Sequence, residues 1–284
     1  DLIFDIDAKD LNLSCRKEHT CIKCLSCNEV SLIQDICPKC KSNKLDFVSL
    51  PCQNCIYSLK KETLNLIKIL TTDLQIRREN ILVSFSGNDG FHLYVANSAY
   101  NTLGSKERSD LSDYIMFRRA IPEAFGFKKA NPSRSLLPEL AEPGWRGRVA
   151  AGLFGSKSNR SKGVTKIISD GYHAYRQRLE EMGKNSIGIR IDPNVTVDIH
   201  RIFRLEGSLN SKSGLVKLAC ENIEKFSPYT EACLIDDKPV EVLANCPIVF
   251  RLKNKKFGPY ANETVSIPKF TAVYMICKGI ANLA

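Results

Sequence analysis

Asp5 and Asp7 stand two residues apart in Asp1-Leu-Ile-Phe-Asp-Ile-Asp7, where apolar and acidic side chains alternate. On a strand, residues i and i+2 share a face. The pattern thus predicts two neighbouring carboxylates, with Leu2, Phe4 and Ile6 on the opposite, apolar side. Two such acids repel each other unless a proton or cation joins them. Mg²⁺ or Mn²⁺ suits them, because hard divalent ions prefer oxygen ligands. Two such ions can hold the attacking and leaving oxygens of a phosphoryl transfer. Taken alone, the spacing fits a solvated acidic strand face better.

Eight of the 12 cysteines fall in the first fifth of the chain: Cys15, Cys21, Cys24, Cys27, Cys37, Cys40, Cys52 and Cys55. Repeated C-x2-C spacing is a metal pattern rather than a disulfide pattern. Eight thiolates are enough for two Cys₄ zinc sites. One layout is a ribbon from Cys24, Cys27, Cys37 and Cys40, set between the halves of a site made by Cys15, Cys21, Cys52 and Cys55. His19 lies within the cluster and could replace one cysteine, and spacing alone leaves the pairing open. Closed sites of this kind are structural. An iron–sulfur cluster is the other metal reading. Cys220, Cys233, Cys246 and Cys277 are scattered and read as small buried hydrophobes.

A third group is Ser86-Gly-Asn-Asp-Gly-Phe-His92. Gly87 and Gly90 allow a tight turn and a close approach to a ligand. Ser86 and His92 can donate to a phosphate oxygen. A plain hairpin turn would look the same.

These groups need elements to hold them. A strand at 1–7 carries the two acids. The cysteine-rich segment 14–56 has few large hydrophobes and needs metal for its shape. Apolar spacing predicts a helix from Ile56 to about Leu74. Strands at 81–85 and 91–96 flank the 86–90 turn. Helices are expected at 105–120 and 162–183, with a loop-rich, Pro-containing stretch at 121–160. A strand at 187–191 delivers Asp192, a helix follows at 195–205, and the rest is strand-rich. No internal repeat or low-complexity tract interrupts this order.

The chain has 284 residues and a formal net charge of +10, which favours a polyanionic partner such as nucleic acid. It holds no run of about eighteen apolar residues, so no membrane association is expected. No secretory signal opens it, and a reducing compartment is expected.

Three segments in order carry a resemblance: F-D-I-D-A-K-D at 4–10, S-G-N-D-G-F-H at 86–92, and I-D-P-N-V-T-V-D-I-H-R-I-F-R-L-E-G-S-L-N-S-K-S-G-L at 191–215. With the cysteine cluster between the first two, they resemble the small, catalytic subunit of archaeal and eukaryotic replicative primases over almost the whole chain. The resemblance implies an α+β primase (prim) fold of mixed sheets with flanking helices. Residues 1–13 and 56–284 would form the catalytic domain, 14–55 an inserted zinc segment, and 100–185 a helical insertion. It implies that Asp5, Asp7 and Asp192 hold the catalytic Mg²⁺ or Mn²⁺, with Asp198 a nearby rival to Asp192. Ser86, His92 and Arg204 would bind the nucleotide triphosphate. Asn210, also expected to bind the nucleotide, stands where the family usually has His, and Lys212 is a further phosphate contact. Asp89 stands where the family usually has Arg, which removes a cation and adds repulsion. Arg201, Arg204 and Lys212 are candidates to compensate.

The implied activity is synthesis of short RNA or mixed RNA/DNA primers on single-stranded DNA, from NTPs or dNTPs, by DNA-directed nucleotidyl transfer. The implied partner is a primase large subunit, met by the Pro-rich 121–145 stretch or the 160–183 helix. The family usually has one zinc site, so a second would be an elaboration. Family members also carry a sizeable segment before the first acids, so a missing N-terminal portion is expected. The zinc ribbon and absent targeting signal look archaeal, hence cytoplasmic and nucleoid-associated. Two other readings stay open: a primase-polymerase of repair or plasmid replication, and a non-catalytic zinc-ribbon nucleic-acid-binding protein.

Overall fold

The structure is a computed structural model that describes residues 1–129 and 132–284. Residues 130 and 131, inside the expected loop-rich stretch, lie outside the described residues. In chain order the main elements are β1 (Leu2–Asp7), β2 (Thr20–Cys24), β3 (Val30–Leu32), β4 (Leu45–Ser49), α1 (Gln53–Thr72), β5 (Ile81–Phe85) and β6 (Gly90–Val95). Then follow α2 (Ser105–Ile115), α3 (Gly144–Phe154), α4 (Arg160–Met182), α5 (Pro193–Val197), β7 (Leu218–Ala219) and α6 (Pro228–Glu231). The chain closes with β8 (Pro239–Cys246), β9 (Phe250–Leu252), β10 (Lys255–Phe257), β11 (Tyr260–Pro268), α7 (Lys269–Cys277) and β12 (Ala281–Leu283). The class is α+β, with antiparallel pairing in the sheets of β2 to β4 and β8 to β12.

The chain forms two compact units. The first takes Asp1–Phe4, Glu62–Ile81 and Val95–His200, and is mainly helical. Phe117 packs tilted against Trp145 at 4.7 Å and meets Phe125 edge-on at 5.4 Å. Arg148 clamps Asp73 with two hydrogen bonds of 2.6 and 2.7 Å. Arg108 is buried and donates to the carbonyls of Leu103, Asp1, Thr196 and Asn101.

Several expectations shift in this unit. The 105–120 helix stops at Ile115, because Phe117 and Arg119 take left-handed backbone at φ +52° and +56°. The stretch 121–160 contains α3. The 162–183 helix is α4, broken where Gly171 adopts φ 84° and ψ 178°. The expected 187–191 strand is absent: residues 183–187 make a wide helical turn, and Ile189 N–H bonds the Ile115 carbonyl at 3.1 Å. The expected 195–205 helix ends at Val197. Asp198 there is extended (φ −77°, ψ 100°), and its carboxylate takes the His200 N–H at 3.0 Å. That local bond competes with helix propagation after a β-branched run.

The second unit takes Asp5–Lys61, Leu82–Tyr94 and Arg201–Ala284. Its sheet has the order β1-β6-β5-β7. Phe85, Phe91 and Phe226 fill its apolar side, with ring centroids 5.8 to 6.3 Å apart. A second sheet, β3-β2-β4, carries the cysteine-rich segment, and β3 packs on β8 of a third sheet, β11-β8-β12. The C-terminal stretch is strand-rich, as its short apolar runs suggest, but also holds α7, buried through Phe270, Ala272, Tyr274 and Met275.

Candidate active site

β1 alternates as a half-buried strand should. Leu2, Phe4 and Ile6 are fully buried, while Asp5 and Asp7 lie half-buried on the other face. The β5–β6 hairpin brings its turn to this face. Ala8 N–H donates to the Asp89 carbonyl at 2.9 Å, and His92 Nε2 lies 3.4 Å from Asp5 Oδ1. Lys9 Nζ pairs with Asp7 at 2.8 Å. Burial pushes the Asp7 carboxyl above the usual range; Lys9 opposes this, and Asp89 and Asp10 add to it. A carboxylate held so is short of positive charge, which a divalent ion beside Asp5 and Asp7 would supply.

The turn is clamped from the 204–217 segment. Ser86 is buried, and its carbonyl accepts from Asn210 Nδ2 at 3.1 Å and from Arg204 at 3.4 Å. Gly87 takes φ +83°, and a Cβ there would meet Asn210 Cβ and the Leu215 carbonyl at 3.0 Å. Ser213 Oγ donates to the Gly87 carbonyl. Asn210 Oδ1 accepts from Lys212 N–H at 2.9 Å, which fixes the amide so that its Nδ2 end faces the Ser86 carbonyl. Lys212 itself is exposed.

Asp89 accepts from the Asn88 side chain, whose Oδ1 takes a 2.9 Å bond from Lys278 at the end of α7. Burial lowers Lys278 below the usual lysine range, Asp89 opposes this, and Lys212 adds to it. Lys278 thus supplies positive charge beside a turn that has none of its own. His92 is pushed down to about 4, first by burial and then by Lys217, Arg204 and Arg201. It is therefore neutral at pH 7 inside a cationic surround.

Asp192 belongs to the first unit. It caps α5 from the N-terminal side, with Oδ1 accepting Asn194 N–H at 3.0 Å, and is half-buried. Asp198 stands at the other end of α5 and is exposed.

The cysteines form two sets. Cys24, Cys27, Cys37 and Cys40 make one; Cys15, His19, Cys52 and Cys55 make the other, the ligand atoms of each lying within 4.8 Å of one another. His19 takes the place expected for Cys21. Cys21 lies on β2 opposite Val48 of β4 and donates its thiol to the Val48 carbonyl at 3.7 Å. It faces Cys246 and Lys278, and burial followed by Cys246 pushes the thiol up to about 12, so it stays protonated. Within the sets, Sγ–Sγ distances of 3.5 to 3.9 Å match the edge of about 3.8 Å of a tetrahedron with Zn–S bonds of about 2.3 Å. They are far beyond a disulfide bond.

Sequence reasoning missed Tyr94, Phe203, Lys217 and Lys278. Tyr94 shares a strand face with His92 at i+2, a signal that could have found it. Lys217 and Lys278 carry no spacing signal, because tertiary folding alone brings them here.

The sequence profile described as DNA primase small subunit matches residues 45–220. The chain is 56% identical over its full length to the DNA primase small subunit of Nitrosopumilus maritimus, and covers 76% of that protein. It is 47% identical, with the same coverage, to that of Cenarchaeum symbiosum. It is 28% identical to that of Methanococcoides burtonii, with 78% of this chain and 69% of that protein aligned. A profile match over more than half the chain and a full-length match to an archaeal relative together make this chain a member of the DNA primase small subunit family.

Proposed function

We propose that this chain, as a catalytic primase subunit, joins nucleotides at the Asp5–Asp7 face of β1, with the β5–β6 turn holding the incoming triphosphate. The observation that carries this is the meeting of two half-buried carboxylates with the turn, through the Ala8–Asp89 backbone bond and the His92–Asp5 contact. Asp5 and Asp7 fit Mg²⁺ or Mn²⁺, and Asp192 joins them on the order of its motif. Such ions supply the Lewis acidity that nucleotidyl transfer uses.

The protein's own groups do the rest. Ser86 Oγ accepts Asn88 N–H at 3.4 Å, so its O–H can point to a phosphate oxygen. His92, being neutral, can donate one N–H without adding charge. Arg204 supplies a fixed positive charge, and exposed Lys212 a mobile one. Asn210 works by holding the Ser86 carbonyl. The two cysteine sets would each hold a structural Zn²⁺. Primers of RNA or mixed RNA/DNA on single-stranded DNA, and a large-subunit partner, complete the reading. No described helix is long and apolar enough to cross a membrane.

The test is primer synthesis by the protein assembled with its large subunit. Asp5→Ala and Asp7→Ala are expected to abolish metal-dependent incorporation while the circular dichroism spectrum stays unchanged. Incorporation retained in either variant would sink the assignment.

A further inference from the structure

We infer that Lys217, acting through Tyr94, fixes which ring nitrogen of His92 carries the proton. Lys217 is 2% exposed, although a buried lysine needs partners for its charge. Its Nζ donates to the Tyr94 hydroxyl and to the Arg204 carbonyl, the latter at 2.7 Å, and lies 4.7 Å from the centre of the Tyr94 ring. Glu206 lies where it favours that charge.

A protonated amine has three donors and no acceptor. The Tyr94 hydroxyl must therefore accept from Lys217, and its own proton turns elsewhere. The acceptor within reach is His92 Nδ1, 3.4 Å away. A neutral imidazole has one N–H, so an accepting Nδ1 leaves the proton on Nε2. Nε2 is the nitrogen 3.4 Å from Asp5 Oδ1. Phe203 sets its ring edge-on to both His92 (5.8 Å) and Tyr94 (5.9 Å), which limits ring rotation. The order of donation runs Lys217 to Tyr94 to His92, with Nε2 turned toward the acidic face. Without the lysine, the tyrosine hydroxyl could donate or accept, and His92 would populate both tautomers. Lys217 and Tyr94 are thus positioning residues, and His92 presents a donor to the side where the triphosphate is placed. That last clause rests on the primase reading; the tautomer does not.

Two-bond ¹H–¹⁵N correlation spectra of the full-length, ¹⁵N-labelled protein at neutral pH test the inference directly. The chain has four histidines, and His92→Gln identifies the signal. The expected wild-type pattern is Nε2–H. Tyr94→Phe and Lys217→Met are each expected to move it toward Nδ1–H or a mixture. Tyr94→Phe removes a single hydroxyl and carries the test if Lys217→Met fails to fold. An Nδ1–H pattern in the wild type, or an unchanged pattern in Tyr94→Phe, overturns the inference. In primer synthesis Tyr94→Phe should raise KM for the nucleotide roughly fivefold, the scale of one neutral hydrogen bond, with a smaller change in kcat. Failure of the primase reading would show instead as retained incorporation in Asp5→Ala, and would leave the tautomer where it is.

Discussion

Gly90 and Asp7 meet so closely that a methyl group on residue 90 would overlap Asp7 Oδ1 and come within 2.8 Å of the Ile6 carbonyl. The glycine is required here by space, since its φ is not among the left-handed ones. It lets β6 pass directly behind the carboxylate that β1 presents.

Gly90→Ala should therefore act on the site more than on the fold. The added methyl must push Asp7 or β1 aside by up to about 1 Å, a displacement that can cost on the order of a hundredfold in rate. Overpacking of this kind costs about 1 to 3 kcal/mol of stability. Incorporation assays and urea unfolding on the same preparation check both. Activity within twofold of wild type would mean that Asp7 is free to relocate without consequence.

His92 yields a pH prediction. Its folded-state pKa, about 4, lies below the ordinary 6.5 because burial, then Lys217, Arg204 and Arg201, disfavour the imidazolium. Between those values the unfolded chain takes up a proton that the folded chain refuses. Stability should thus fall as pH drops through about 6.5 to 4, by on the order of a few kcal/mol, and level off below. Asp7 acts with the opposite sign, since its raised pKa makes the folded state the better proton binder just above the carboxyl range. Comparing wild type with His92→Gln cancels that contribution. The variant should lose the His92 part of the slope in urea midpoints measured from pH 4 to 7. An equal slope in both proteins would remove the buried-neutral picture of His92.

How much of this was legible beforehand depends on the range of the signal. The Asp5/Asp7 face follows from a period of two, and the 86–90 turn from Gly87 and Gly90 between apolar runs; both are local and both are present. The helix expected at 195–205 fails on a competing side-chain bond at Asp198, which propensity alone does not weigh. The substitutions at Asp89 and Asn210 look like losses in sequence. In the fold, Asn210 clamps the Ser86 carbonyl and Lys278 brings charge to Asn88 from 190 residues away. Such contacts leave no periodic trace, because only the tertiary fold pairs these residues.

The same limit applies to Cys21, and it makes the metal content decisive. Spacing groups Cys21 with Cys15, Cys52 and Cys55, but on strand β2 residues 21 and 24 point to opposite faces, and His19 instead of Cys21 joins that set. Cys24 joins Cys27, Cys37 and Cys40, while Cys21 turns toward Val48 and Cys246. The Cys21 thiol donates to the Val48 carbonyl and stands outside both four-residue sets. His19 fills the fourth place with Nε2 3.4 Å from Cys55 Sγ. Elemental analysis should therefore find two zinc ions per chain in wild type and in Cys21→Ser. It should find one in His19→Leu and in Cys27→Ser, each of which empties a different set. Cys40 is exposed and Cys27 half-buried, whereas His19, Cys15 and Cys55 are buried. A chelator should accordingly strip the Cys24–Cys40 set first, and release should be biphasic when followed with a chromogenic zinc indicator. A single zinc lost on Cys21→Ser would return Cys21 to the ligand set and remove His19 from it.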